Sequence, residues 1–105
     1  MSQAEKLFTV YIVANKKRGV IYVGVTSDLL SRTLQHRAGT RGGHSAKWRL
    51  RTLVWYETFP DAETAIRFEK RLKRWRRPWK DAMIEKSNPD WRDLGPDLGL
   101  GDAGA

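Results

Sequence analysis

The stretch that decides the fold runs from Leu7 to Val25 and reads LFTVYIVANKKRGVIYVGV. Two β-branched and aromatic runs, LFTVYIV (7–13) and VIYVGV (20–25), flank a polar link, ANKKRG (14–19), that carries Gly19. Runs of this kind fit a pleated, half-buried surface, and the short polar link fits a turn. The reading is an antiparallel hairpin. A turn centred between Lys16 and Lys17 sets Tyr11 directly across from Tyr22, on one face of the sheet.

Downstream of the hairpin, TSDLLSRTLQHRAG (26–39) reads as a helix. Thr26, Ser27 or Asp28 can cap its start and Gly39 its end. TRGGHSAKW (40–48) is rich in glycine and basic residues and reads as a mobile loop. RTLVWYETF (51–59) is a third strand. Pro60 or Asp61 opens a long helix that runs to about Trp75. Pro78 suits the first turn of another helix over 78–87, where its missing N–H would be unpaired anyway. Residues 1–6 read as a flexible start and 96–105 as a disordered Gly/Asp/Ala tail, which leaves one domain over 7–95. The order β-β-α-β-α-α implies an α+β fold with a small three-stranded antiparallel sheet flanked by helices.

The chain has 105 residues, 40% of them hydrophobic, enough for one modest core. Its formal net charge is +8 and its pI about 10.2, which favours a polyanionic partner, nucleic acid before an acidic membrane surface. There is no cysteine, so disulfides, zinc fingers, iron–sulfur clusters and thiol nucleophiles are excluded. The first residues lack the pattern of a signal peptide, and no apolar run reaches the roughly 18 residues of a membrane span. The expectation is a soluble, cytoplasmic protein with no membrane partner.

The segment AIRFEKRLKRWRRPWK (65–80) holds one acid, Glu69, among eight lysines and arginines. At about 100° per residue, Ala62, Ala65, Ile66, Phe68, Leu72 and Trp75 cover one broad helix face, and Glu69 falls within it. The bases Arg67, Lys70, Arg71 and Arg74 lie mostly on the other side. A carboxylate in a core position is costly unless it is paired or functional. It is either one half of a structural ion pair with an arginine or an oxygen ligand at the lip of a cleft, suited to Mg²⁺ or Mn²⁺.

Other residues could share such a site. Arg32 and His36 are four apart and so lie on one side of their helix, a permanent cation beside a titratable base. Taken singly, each also reads as ordinary surface. Tyr11 and Tyr22 are a cross-strand pair that either packs the sheet or turns two hydroxyls toward a shared centre.

The ordered set resembles the GIY-YIG nuclease superfamily. The residues that carry the resemblance are Val10-Tyr11-Ile12, Tyr22-Val23-Gly24, Arg32, His36, Glu69 and Asn88, spread from about Phe8 to Leu94. The final segment NPDWRDL (88–94) looks closest to the small stand-alone bacterial members. The resemblance implies a three-stranded antiparallel sheet and hydrolysis of DNA phosphodiesters with one divalent metal ion. It implies Glu69 as the metal ligand, Tyr11 at the attacking water and Tyr22 in the hydrogen-bond network. Arg32 would hold the phosphate, and Asn88 would order the site. His36 matches a histidine found in many members. It also implies a role in DNA repair or recombination. The chain departs from the family in lacking the glycine before Tyr11 and in placing Val25 where some active members have a lysine. The general base is left between Tyr11 and His36.

The chemistry fits these residue types. Phosphodiester hydrolysis needs an in-line nucleophile, a counter-charge in the transition state and help for the leaving oxygen. An arginine binds phosphate oxygens in a fork that lysine cannot copy. Tyrosine, with a pKa near 10, is a poor base unaided, so a neighbouring cation or His36 would assist it.

Candidates for gripping the nucleic-acid backbone are Lys16, Lys17 and Arg18 in the hairpin turn, and Arg41 and Lys47 in the glycine-rich segment. A third group is Lys70, Arg71, Lys73, Arg74, Arg76 and Arg77. Singly each reads as a solvated charge; together they read as a phosphate-tracking face. Trp48, Trp75, Trp79 and Trp91 lie among them and are either core or platforms for unpaired bases. No recognition helix or zinc finger accompanies them, so branched or single-stranded DNA is the expected partner, with RNA still open. The rival readings are a non-catalytic nucleic-acid-binding module on the same fold and a protein-interaction adaptor using the tryptophans.

Overall fold

The computed structural model describes residues 7–40 and 42–101. The expected flexible start at 1–6 lies outside the described residues, as do Arg41 and the last part of the expected tail, 102–105.

Strand β1 (Phe8–Ala14) is the centre of a three-stranded antiparallel sheet with the order β2-β1-β3. Its residues from Thr9 onward are all buried, because both faces of the sheet are covered. Strand β2 (Ile21–Thr26) and strand β3 (Thr52–Phe59) form the edges. Helix α1 (Leu29–Ala38) follows β2, capped by Asp28, whose side chain accepts from Ser31 N, and ended by Gly39 in the left-handed region. Helix α3 (Ala62–Arg74) starts at an Asp61 cap and α4 (Arg77–Ser87) starts with Pro78 in its first turn.

Two apolar clusters sandwich the sheet. Val10, Ile12 and Val23 meet Ala65 and Leu72 of α3, Ile84 of α4 and Trp91 on one side. Tyr11, Val13, Leu50 and Leu53 form the other, joined by Tyr22, Leu29 of α1, Leu94 and Leu98. An irregularity in the β1–β3 register pairs Ile12 with Trp55 and Val13 with Leu53, so Val54 is the extra residue.

The hairpin register differs from the expected one by two residues. Tyr11 faces Gly24, and Tyr22 faces Val13. The turn is longer than the sequence reading assumed: Gly19 N bonds to Lys16 O, Asn15 N bonds to Val20 O, and Asn15 Oδ1 accepts from Val20 N. Arg18 takes a positive φ of 57° to close it. A shift of two preserves the face, so both tyrosines still project to the same side, now as diagonal neighbours with ring centroids 6.4 Å apart.

Two further differences concern expected loops. The segment expected as a loop over 40–48 contains a short helix, α2 (Gly43–Trp48). His44 Nε2 lies 3.3 Å from the Ile21 carbonyl oxygen and ties it to β2. The expected tail boundary at 96 cuts through a 3-10 turn, Gly95–Leu98, whose Leu98 packs on the Tyr11 cluster. Leu94 and Leu98, both half-buried, pack on that cluster.

Candidate active site

Tyr11 is the centre of the site. Its ring is 1% exposed, and its hydroxyl shares a hydrogen bond of 2.9 Å with His36 Nε2 on α1, itself 2% exposed. The place of the phenol is set by Gly24. A Cβ at Gly24 would stand 2.5 Å from the Tyr11 hydroxyl oxygen, so only glycine leaves room for it. Tyr22 leans on both partners, with centroids 5.7 Å from the His36 ring and 6.4 Å from the Tyr11 ring. The Tyr11 and His36 rings meet edge to face at 5.4 Å. A residue that the sequence reading did not single out joins them: the His44 ring of α2 is 6.5 Å from Tyr22.

Arg32 lies one turn before His36 on α1, half-buried, with no ion-pair partner among the described residues. Its neighbour Arg37 is used structurally. It pairs with Asp93 at 2.9 Å, both about 15% exposed in their side chains, and so clamps α1 to the segment after α4. Asp93 Oδ1 accepts from Gly95 N in the same clamp.

Glu69 is 8% exposed, in agreement with its position on the apolar arc of α3. Its Oε2 lies 2.7 Å from the ammonium of Lys73, an i,i+4 pair. That ammonium also stands 5.7 Å from the centre of the Tyr22 ring. Since α3 packs on the opposite side of the sheet from Tyr22, Lys73 bridges past edge strand β2 and links Glu69 to the aromatic cluster. Lys73, expected on the backbone-gripping face, is thus engaged with Glu69 and Tyr22.

Asn88 is 3% exposed and wholly engaged with backbone. Its Nδ2 donates to Val54 O at 3.0 Å and to Arg92 O at 2.9 Å, and its Oδ1 accepts from Arg92 N. It fastens the segment that carries Trp91 and Asp93 to β3, and both hydrogens of its amide are taken up by backbone carbonyls.

The expected backbone-gripping residues divide into two sets. Arg18 forms a two-pronged pair with Glu85 at 2.8 and 2.7 Å, and Arg77 pairs with Asp81 at 2.7 Å and donates to Gly19 O. These two stitch the hairpin turn to α4. Lys16, Lys17, Lys47, Lys70, Arg71, Arg74 and Arg76 are exposed and outside every ion pair among the described residues. A shallow groove of about 310 Å³ on α3 is lined by Arg67, Lys70, Arg71 and Arg74. Trp91 and Trp55 are core, whereas Trp48 and Trp79 are exposed, Trp79 by 63%. Trp79 meets Trp75 edge to face at 6.3 Å. Val25 packs against the first apolar cluster.

Among the described residues no three His, Asp or Glu side chains gather at one point to hold a metal ion, and Glu69 is the carboxylate that Lys73 joins to the aromatic cluster. One carboxylate suits a hard ion that keeps most of its ligand positions for water and phosphate oxygens, as Mg²⁺ does. No helix among the described residues is long and apolar enough to cross a membrane.

The GIY-YIG catalytic domain model matches residues 7–82. A UPF0213 protein of Aeromonas salmonicida is 30% identical over 88 residues, covering 82% of this chain and 62% of that protein. The chain thus spans less than two thirds of that relative's length. A UPF0213 protein of Bacillus pumilus is 34% identical over 68 residues, covering 65% of this chain and 69% of its own. The solution NMR structure of a UPF0213 protein from Bacillus halodurans is 25% identical, with a TM-score of 0.49, covering 91% of this chain and 98% of that one.

Proposed function

We propose, from the premise that the chain belongs to the GIY-YIG catalytic-domain family, that it is an endonuclease that hydrolyses DNA phosphodiester bonds with one divalent metal ion. The observation that carries the reading is the buried hydrogen bond between Tyr11 Oη and His36 Nε2 at 2.9 Å. A phenol held against an imidazole, out of bulk water, is a proton-transfer pair.

In this reading Glu69 would hold the ion, Mg²⁺ or Mn²⁺, which would supply Lewis-acid stabilisation of the charge that develops on the phosphate. Arg32 places its guanidinium fork on the non-bridging phosphate oxygens. Tyr11 takes the proton of the attacking water at Oη while its own proton passes to His36 Nε2. The imidazole serves as acceptor in the tautomer with its proton on Nδ1. Tyr22 orients the pair through its ring contacts with both. Asn88 fixes the segment whose Asp93 holds α1, and with it His36, against the sheet.

Substrate choice follows from what is exposed. Lys70, Arg71, Arg74, Arg76 and Lys47 offer a phosphate track, and Trp79 and Trp48 offer faces on which unpaired bases stack. The substrate class is therefore branched, flapped or single-stranded DNA, as in repair or recombination.

The test is cleavage of labelled duplex, nicked, flap, fork, junction, single-stranded DNA and RNA with Mg²⁺, Mn²⁺ or EDTA, comparing wild type with Glu69→Ala. Metal-dependent cutting that Glu69→Ala loses is the expected result. One observation favours a second reading, a binding module without catalysis: Glu69 is already neutralised by Lys73. Binding without cutting under every condition, unchanged in Glu69→Ala, would establish that module instead.

A further inference from the structure

The Glu69 carboxylate has a resident cation from its own helix. Lys73 Nζ sits 2.7 Å from Glu69 Oε2 and, at the same time, over the Tyr22 ring. A carboxylate this buried costs free energy unless a charge answers it, and Lys73 supplies that charge without any ion from solution. The lysine itself is about half exposed, so its ammonium can swing outward on its four-carbon stem.

We infer that Lys73 and the divalent ion exchange at Glu69, and that this exchange makes metal uptake depend on the arrival of a phosphate backbone. The inference rests on the assignment of Glu69 as the metal ligand proposed above. Two positive charges bonded to one carboxylate repel strongly in a partly desolvated site. The ion therefore binds weakly while the ammonium stays. A phosphate entering beside Tyr22 offers the ammonium a second anion and draws it off Glu69, which frees the carboxylate. Lys73 is then a positioning residue for metal entry. By linkage, the DNA that raises metal affinity is itself held more tightly when metal is present.

The full chain is titrated with Mn²⁺ alone, without nucleic acid, and free Mn²⁺ is read from its paramagnetic resonance signal. Lys73→Met keeps the stem and removes the charge. It is expected to bind Mn²⁺ about fivefold or more tightly than wild type, the lower range of a site-to-site coupling. Lys73→Gln should do the same, whereas Lys73→Arg, which keeps a cation, should stay close to wild type. Adding duplex DNA should tighten Mn²⁺ binding by a larger factor in wild type than in Lys73→Met. Equal DNA-free affinity in wild type and Lys73→Met, abolished in both by Glu69→Gln, would overturn the exchange and leave the nuclease reading standing. Mn²⁺ uptake that Glu69→Gln leaves intact would overturn both the ligand assignment and the exchange. Failure of Lys73→Met and Lys73→Gln to take up Mn²⁺ would likewise overturn the exchange.

Discussion

Tyr11 and Gly24 face each other across β1 and β2, and the phenol of one fills the space that a side chain on the other would need. A methyl group at position 24 would sit 2.5 Å from the Tyr11 hydroxyl oxygen, far inside van der Waals contact. The ring must then shift away from His36. Gly24→Ala is expected to cost about 1–3 kcal/mol of stability through overpacking. It should lower cleavage by more than tenfold under conditions where the variant remains folded. Urea unfolding and a cleavage time course separate the two effects.

Tyr11→Phe removes the hydroxyl and keeps the ring. Removing one partner of this buried hydrogen bond should cost about 1–3 kcal/mol, within what a stable domain tolerates. Its cleavage rate should fall by about 10²-fold or more if Tyr11 takes the proton from water. His36→Ala separates the roles. A fall similar to that of Tyr11→Phe marks a shared base, whereas near-normal cutting assigns the base to Tyr11 alone. Single-turnover rates at saturating DNA are the measurement.

Glu85 is an acid-sensitive fastening far from this chemistry. It accepts two hydrogen bonds from Arg18 and one from Trp91 Nε1 at 2.6 Å. The Arg18 bonds, followed by that of Trp91, hold its carboxyl down at about 2, against an ordinary 4.5. The folded value lies below the unfolded one, so the stabilising contribution is whole above the ordinary value and is lost as pH falls toward about 2. Glu85→Gln should be less stable than wild type at neutral pH, and the gap should narrow on acidification through that window. Urea midpoints measured at steps of pH give the comparison.

Much of this architecture is visible in local chemistry. Asp28 and Asp61 stand before helices as caps, Gly39 ends one, and the β-branched runs at 7–13 and 20–25 are strands. The helical period alone put Glu69 on a buried arc. The hairpin register lies two residues from the one local sequence implies because the turn is held from elsewhere: Arg18 closes it in a left-handed conformation while gripping Glu85 of α4. The helix over Gly43–Trp48 is not legible locally for a similar reason, since its tie to Ile21 carries no local signal. Lys73 was legible, four residues after Glu69 and close to it on the helical wheel, but the density of charge around it led to its reading as part of the outer stripe. His44 had no such clue, because its nearness to Tyr22 exists only once β2 and α2 are folded together.

The exposed face of α3 and the start of α4 can be tested apart from the catalytic cluster. Lys70 and Arg74 are exposed and outside the ion pairs of the described residues, and Trp79 projects into solvent beside Trp75. If the two cations each meet a phosphate, their joint replacement by alanine should reduce the log–log salt slope of duplex binding by about 0.9 per lost contact. Trp79→Ala should leave that slope alone, because stacking displaces no counterions. It should instead weaken binding to single-stranded and flapped DNA by about 1–3 kcal/mol, the value of one base stacked on an aromatic ring, with little effect on continuous duplex. Fluorescence anisotropy across a salt series, on matched duplex and flap substrates, distinguishes the two contributions. Equal weakening on both substrates by Trp79→Ala would mean that the ring supports the fold through Trp75 and does not read unpaired bases.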